Sequence, residues 1–217
     1  MDNFWCWFYR RYILVFCVLL LAIILGAFLA PLLAHAHFDM GAQVIYTLYR
    51  ITCHQLAYRS WFLFGEQAYY PLRIAGVPNV EPFEKVSGIA SYDLRAAQDF
   101  IGNELIGYKT ALCQRDIAIG FGFVISGVGF SLSRRRWKPI SILLWIVLGV
   151  LPMLVDGLVQ WGGGDVFGWQ LRNAYESTSL MRTATGILFG LCSGMFIFPK
   201  LDVALRITRN NHNCREP

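Results

Sequence analysis

The stretch YILVFCVLLLAIILGAFLAPLLA, from Tyr12 to Ala34, contains no charged side chain. It is long enough for an α-helix to cross the hydrocarbon core of a bilayer, which takes roughly 20 residues. Three further apolar segments of similar length follow at residues 112–132, 139–161 and 180–199. The sequence therefore predicts an all-α integral membrane protein with four transmembrane helices, in which residues 1–217 form a single membrane domain.

Composition agrees with a chain embedded in lipid. Hydrophobic residues make up 56% and charged residues 15% of the 217 residues, so a soluble domain of this size would leave too much apolar surface in water. The motif Ala34-His35-Ala36 resembles a cleavage site for a signal peptide. However, the preceding apolar run exceeds the roughly 7–15 residues of a signal core, so we expect a retained anchor.

Basic residues mark one set of segment ends, namely Arg10, Arg11, Arg134, Arg135, Arg136, Lys138, Lys200, Arg206, Arg209 and Arg215. These ten basic residues share their side with three acidic residues, whereas nine basic and eleven acidic residues lie on the other side. The positive-inside rule therefore predicts cytoplasmic N and C termini and an extracytoplasmic segment at residues 35–111. We expect a multi-pass protein of the cell inner (plasma) membrane, in contact with membrane lipids. The net charge of +5 then reflects topology, and nucleic acid is not an expected partner.

A cap of residues 38–111 is inserted between the first and second predicted helices. From Met40 to Phe64 apolar residues recur close to helical spacing, which predicts an amphipathic helix lying in the outer interface. The part from Gly65 to Gly107 is rich in proline and glycine and contains one predicted short helix, Tyr92–Ile106, with Ser91 as its N-cap.

Three charged side chains are predicted at one depth of the membrane. Counted from the cytoplasmic helix ends at about 1.5 Å per residue, Asp116 lies about 24 Å, and Asp156 and Arg182 about 26 Å, along their helices. This level is the outer rim of a hydrocarbon core about 30 Å thick, where charges face the bundle interior. With Arg115 and Gln160 they form a predicted intramembrane polar network. It is either a structural ion-pair network or a proton, ion or ligand site.

Small residues recur every four positions in two segments. Gly122 and Ser126 form such a row in the second segment, and Gly186, Gly190 and Gly194 form another in the fourth. Rows of this kind let two helix backbones approach closely in a membrane. We expect these residues at helix contacts.

Of the six cysteines, Cys53 and Cys113 are predicted to reach the outer side. Two such thiols in an extracytoplasmic compartment form a disulfide, stay free or share a metal, and the sequence leaves all three states open.

The chain resembles a known family through several short motifs. These are Cys53-His54-Gln55 with Arg59-Ser60 and Phe62-Leu63-Phe64-Gly65, then Cys113-x-Arg115, Pro152-Met153-x-x-Asp156-Gly157 and Arg182-x-x-Thr185-Gly186. They resemble a bacterial and archaeal family of predicted membrane proteins catalogued as domain of unknown function 2085. The resemblance covers Tyr46–Gly65 and Ala111 to about Gly194.

The resemblance bears on the metal question. Many relatives have a second cysteine where this chain has Asp116, and a Cys-x-x-Cys motif with Cys-His is typical of a zinc or redox site. With Asp116 in that place, the metal-ligand candidates of this chain are Cys53, His54, Cys113 and Asp116, which form a poorer tetrahedral set. The chain is also predicted to carry an insertion of about 40 residues, Ala68–Thr110, relative to the family.

No metalloprotease, nucleophile-elbow, phosphate-loop or haem-attachment motif is present in the sequence, which argues against an enzyme. No cofactor is assigned; zinc is considered at the cysteines, and haem or a pigment at His35, His37 or His54.

We expect a non-enzymatic accessory or scaffold subunit that docks onto a larger membrane complex, for which a respiratory or photosynthetic electron-transfer assembly is the host considered. Its partners would be other membrane protein subunits. The alternative is a metal- or redox-dependent membrane enzyme, or a small transporter, with a site at the outer membrane face.

Overall fold

The computed structural model describes residues 2–161 and 176–211. Along these ranges the helices and strands are α1 (Asp2–His35), α2 (Asp39–Tyr49), β1 (Ser60–Leu63), α3 (Phe83–Ser87), α4 (Leu94–Asp99), β2 (Gly102–Asn103), β3 (Gly107–Cys113), α5 (Gln114–Leu132), α6 (Ile142–Leu144), α7 (Leu151–Trp161) and α8 (Ser179–Asn211). A π-helical stretch, Trp145–Val150, joins α6 to α7, and single 3-10 turns cover Ala57–Arg59 and Arg73–Ala75.

Four helical stretches are long and apolar enough to cross a membrane. They are Cys6–His35, Gln114–Leu132, Ile142–Gln160 and Ser179–Ile207. The prediction of four helices with the length and composition of membrane spans is confirmed, and the fold is mostly helical. Each stretch begins or ends within a few residues of the predicted segment, except that α1 and α8 extend further toward the chain ends.

The prediction of an all-α fold is wrong in the cap, where β1, β3 and β2 form an antiparallel sheet in that order. Ser60 pairs with Cys113, and Leu63 pairs with Tyr108. Leu112 is a buried strand residue, although the sequence had assigned it to a transmembrane helix. A short buried strand that leads straight into an apolar helix cannot be told from the helix by hydrophobicity alone.

The interfacial helix is shorter than the predicted Met40–Phe64 stretch. Helix α2 ends at Tyr49, and the Gln55 side-chain amide donates to the carbonyl oxygen of Tyr46 at 2.8 Å. Gln55 itself has a positive φ of 52°, which an α-helix does not allow. The chain therefore turns back after α2 and enters the sheet.

The predicted helix Tyr92–Ile106 is also wrong in its length and its cap. Helix α4 covers Leu94–Asp99, and its N-cap is Asp93, whose carboxylate accepts from the backbone N–H of Ala96 at 3.0 Å. It ends before the tight β2–β3 hairpin, where the Asn103 side chain accepts backbone hydrogen bonds.

Helices α5 and α8 form the central pair of the bundle through their small residues. A methyl group added at Gly122 would lie 2.8 Å from the backbone nitrogen of Leu191 and 2.9 Å from the Cα of Gly190. Gly186 abuts the backbone of Arg115, and Gly194 abuts Ser126. The residues of both predicted rows thus lie at one helix contact.

The basic segment ends meet at the end of the bundle opposite the cap. The Asp202 carboxylate, which is 4% exposed, accepts from Arg135 at 3.1 Å and from Arg206 at 2.7 Å. The Arg135 guanidinium also donates to the backbone of Arg10 on α1. The link after α5, the N-terminal part of α1 and the C-terminal part of α8 therefore share one end, while Arg215 lies outside the described residues.

Candidate metal and ion-pair site

Two thiols and a carboxylate converge where the cap meets the helix bundle. Cys53 lies in the turn after α2, Cys113 is the last residue of β3 and the N-cap of α5, and Asp116 lies in the first turn of α5. Their ligand atoms all lie within 4.8 Å of one another. The turn at Gln55 and the direct passage from β3 to α5 bring these separate parts of the sequence together.

The structure differs from the disulfide expectation, because Cys53 and Cys113 are both free thiols. Their sulfur atoms lie within 4.8 Å of each other without a covalent bond. The two residues are therefore neighbours in the fold, and no disulfide joins them.

His54 does not join the three ligand atoms, in contrast to the predicted four-residue set. Cys53 is buried and its neighbour His54 is exposed. Adjacent residues of a non-helical turn point to opposite sides, which separates the imidazole from the thiols. His54 nevertheless lines the same cavity as the thiols.

The two thiols titrate as a pair. The hydrogen bond from Cys113 lowers the pKa of the Cys53 thiol, against the opposing effects of burial and of the Asp116 carboxylate. That shared proton, together with burial, raises the pKa of Cys113 well above its ordinary value. Cys53 therefore loses its proton more easily than Cys113. A cation that binds both sulfur atoms displaces the proton that remains on Cys113.

A second cluster of charges lies beside the thiols and differs from the predicted network. Arg182 pairs with Glu176, to which Arg59 also donates at 2.9 Å and 3.1 Å. Because Arg59 and Arg182 share one carboxylate, this triad has one positive charge in excess. Glu176 was missed by the sequence analysis, although it is an acidic residue six positions before Arg182 and three positions before the start of α8.

The sequence named Asp156, Arg115 and Gln160 as members of one polar network without assigning their partners. Asp156 pairs with Arg115 and accepts from the Gln160 amide at 2.9 Å. Within residues 2–161 and 176–211, Asp116 forms no ion pair, and its carboxylate lies against Cys53 instead. The equal depth of the three charges was therefore not enough to fix their partners.

A cavity of about 590 Å³ connects these groups. Its wall includes both thiols, the Asp116 carboxylate, and the side chains of Arg59, Arg115 and Arg182. The Nε atom of Arg115 is buried and has no hydrogen-bond partner in the described part of the chain. The cavity is thus rich in hydrogen-bond donors and adjoins the three candidate ligands.

His35 and His37, the other histidines of the described residues, lie away from the three ligand atoms. The His35 ring stacks on Phe64, with ring centroids 4.1 Å apart. His37 is largely exposed, and its Nε2 lies 3.8 Å from Glu104. Neither belongs to the group of residues that could hold a metal among the described residues.

Lys109 is a buried base that the sequence analysis also missed. Its side chain is 1% exposed, and its amine donates to the carbonyl oxygens of Gln55, at 2.7 Å, and Gln98. Burial first, and the nearby Arg50 second, lower the pKa of Lys109 from 10.5 to about 7. The amine holds the turn that carries Cys53 against helix α4. A lysine within a run of buried strand residues was the available signal.

We expect the stability of the protein to rise as the pH is raised from 7 to 9. The pKa of Lys109 is about 7 in the folded chain and 10.5 when exposed, so the unfolded chain binds more protons over this range. The slope from one such group is at most about 1.4 kcal/mol per pH unit. Thermal unfolding in detergent at several pH values measures it. The Lys109→Met variant should lose the rise, and an unchanged slope in this variant would contradict the assignment.

Comparison with known proteins identifies one matching family. The family model described as "Predicted membrane protein (DUF2085)" matches residues 104–196, which confirms the resemblance over this part of the chain. The match includes Cys113, Asp116 and the α5–α8 contact, whereas Cys53 lies outside it. It begins before Thr110, so the predicted insertion Ala68–Thr110 extends too far at its C-terminal end. No curated protein and no solved structure matches the chain.

Proposed function

We propose that this predicted membrane protein binds a divalent metal ion, with Zn²⁺ as the best fit, through Cys53, Cys113 and Asp116. The observation that carries the proposal is the convergence of their ligand atoms within 4.8 Å. Around a tetrahedral Zn²⁺ with Zn–S bonds of about 2.3 Å, two sulfur ligands lie about 3.8 Å apart. The three side chains therefore need to close in only slightly.

Charge and coordination support a zinc ion of the open type. Two soft thiolates and one harder carboxylate suit Zn²⁺, a borderline ion that binds both sulfur and oxygen ligands. Three protein ligands leave a fourth position free, and such open sites are typical of catalytic zinc. This favours the metal-dependent enzyme among the functions considered. A bound ion would act as a Lewis acid on an oxygen atom held in the adjoining cavity.

Metal analysis of the purified full chain tests this proposal. We expect about one zinc per chain after purification under reducing conditions, and less than a tenth of that in Cys113→Ser, because a hydroxyl is a poor zinc ligand. The matched control is Cys192→Ser, which changes another free thiol in α8 far from the cap. Equal zinc contents in Cys113→Ser and Cys192→Ser would refute the assignment.

A docking role remains the second candidate, because the cap has its own core and an exposed apolar surface. Tyr58, Phe62 and Phe83 belong to that core. On its surface Tyr92 is 86% exposed and Leu105 is 71% exposed. Such a surface suits a neighbouring subunit of a membrane complex, which could be an electron-transfer assembly.

Gentle solubilisation of native membranes tests the docking role. The chain should migrate in a larger complex, and the paired change Tyr92→Asp and Leu105→Asp should release it. The matched control is the exposed cap residue Glu81→Gln. A chain that migrates at its own monomer or dimer size argues against an accessory subunit.

We further propose that the cap faces the extracytoplasmic side of the inner membrane, as the positive-inside rule implies. The meeting of Arg10, Arg135 and Arg206 at the opposite end supports this orientation. In whole cells, a membrane-impermeant maleimide should label Glu81→Cys in the exposed cap and leave Val203→Cys at the far end unlabelled. The reverse labelling pattern would invert the topology.

A further inference from the structure

We propose that the cavity at the metal ligands takes the head of a membrane lipid that carries a phosphate-type oxyanion, with the lipid chain lying between α7 and α8. This inference rests on the proposed metal site and names the class of ligand for it. Two adjoining cavities of opposite character carry the argument.

The second cavity is apolar and lies along the membrane-spanning helices. Its volume is about 530 Å³, and its wall is formed by Leu151, Pro152, Val155, Asp156, Val159, Met181 and Thr185. All of these residues belong to α7 and α8, and apart from Asp156 and Thr185 their side chains are apolar. A space of this kind inside the span of two membrane helices suits a hydrocarbon chain.

Neighbouring residues of α7 and α8 line the two cavities. On α7, Asp156 lines the apolar cavity while its neighbour Gly157 lines the polar one. On α8, Met181 lines the apolar cavity and Arg182 lines the polar one. The Arg115–Asp156 ion pair lies between the two cavities, and a methyl group added at Gly157 would meet only Arg115, at 3.9 Å. A ligand that spans both cavities must have an apolar part and a polar part.

The polar cavity favours an oxyanion as that polar part. Arg59 and Arg182 share the single carboxylate of Glu176, so their guanidinium groups have more donors than this carboxylate can accept, while the remaining carboxylate of the wall, Asp116, is a proposed metal ligand. Guanidinium groups match the oxygens of a phosphate in pairs. The open position of the proposed metal would accept a further oxygen of the same group.

Cobalt loading of the full chain, in a detergent with a neutral maltoside head, tests this inference. Co²⁺ replaces Zn²⁺ at thiolate sites and gives visible absorption bands that respond to its fourth ligand. The probes are dodecyl phosphate, inorganic phosphate and dodecyl maltoside. We expect dodecyl phosphate to shift the bands and to bind at least tenfold more tightly than inorganic phosphate, whereas dodecyl maltoside has no effect.

Two matched pairs of variants distinguish binding of the lipid's hydrocarbon chain from binding of its head group. Val155→Phe fills the apolar cavity, and Val147→Phe is its control on the same membrane-spanning stretch, with 45% exposure against 51% for Val155. Arg59→Gln removes one of the guanidinium groups of the cavity wall and leaves Glu176 paired with Arg182. Its control is Arg50→Gln, at the exposed Arg50–Asp99 pair.

The expected pattern is selective. Val155→Phe should weaken dodecyl phosphate about tenfold and leave inorganic phosphate unchanged, while Arg59→Gln should weaken both and the two controls neither. Cobalt uptake without any response to dodecyl phosphate overturns this inference alone. Equal binding of the two phosphates, or equal effects of Val155→Phe and Val147→Phe, overturns the lipid assignment. A chain that takes up no cobalt overturns the proposed function and this inference together.

Discussion

Glu176→Gln is expected to lower the free energy of unfolding by about 3–5 kcal/mol, the usual cost of leaving a buried charge without its partner. Glu176 accepts from both Arg59 and Arg182, and the side chain of Arg182 is 3% exposed. Without the carboxylate, the buried Arg182 guanidinium would face that of Arg59 with no acid between them. At about 2–4 °C per kcal/mol, the thermal midpoint in detergent should fall by roughly 10 °C.

The controls for this prediction distinguish the triad from charge loss in general. Glu81→Gln removes an exposed carboxylate paired with Lys85 and should change stability by less than about 0.5 kcal/mol. Arg59→Gln combined with Glu176→Gln leaves a single guanidinium and should recover part of the loss. If Glu176→Gln and Glu81→Gln were equally stable, the triad would not stabilise the fold.

Gly122→Leu is expected to abolish the folded protein. The backbones of α5 and α8 touch at this point, and a side chain on residue 122 would meet the Leu191 nitrogen at 2.8 Å and the Gly190 Cα at 2.9 Å. Backbone atoms cannot rotate away as a flexible side chain would, so the two helices must separate. Size-exclusion chromatography in detergent should show loss of the monodisperse peak.

The smaller change to alanine gives a sharper comparison. Gly122→Ala should destabilise the protein by about 1–3 kcal/mol, as overpacking does. Gly157→Ala makes the same change in α7, where the nearest atom is 3.9 Å away, and should be neutral or stabilising by up to about 1 kcal/mol. Equal effects at the two positions would show that α5 and α8 do not touch as described.

The membrane-spanning part of the fold was predictable because its signal is local. An uncharged run such as Tyr12–Ala34 has few other solutions than a helix in lipid. The β3 strand was not predictable, because Ala111 and Leu112 are apolar in either structure. Their strand pairing depends on β1, which lies about 50 residues earlier in the chain.

The candidate site was predictable in its members and less so in their contacts. Cys53, Cys113 and Asp116 were named together from their residue types and predicted side of the membrane, and their ligand atoms do converge. Helix depth placed Asp156 and Arg182 at one level but gave no rotation about the helix axes. Their partners, Arg115 and Glu176, depend on that rotation.

The passage from β3 to α5 has a consequence for how a ligand reaches the cavity. Cys113 ends the strand and caps the helix, with no residue between the two elements to act as a hinge. The sheet and α5 must therefore move as one body, and the cap cannot swing open above the thiols like a lid. The helical stretch Ile142–Gln160 is the least enclosed of the four spans: 11% of the residues in its most apolar part are buried, against 28% or more in the other three. For the proposed lipid ligand, we therefore expect entry from the lipid side, beside this least enclosed stretch.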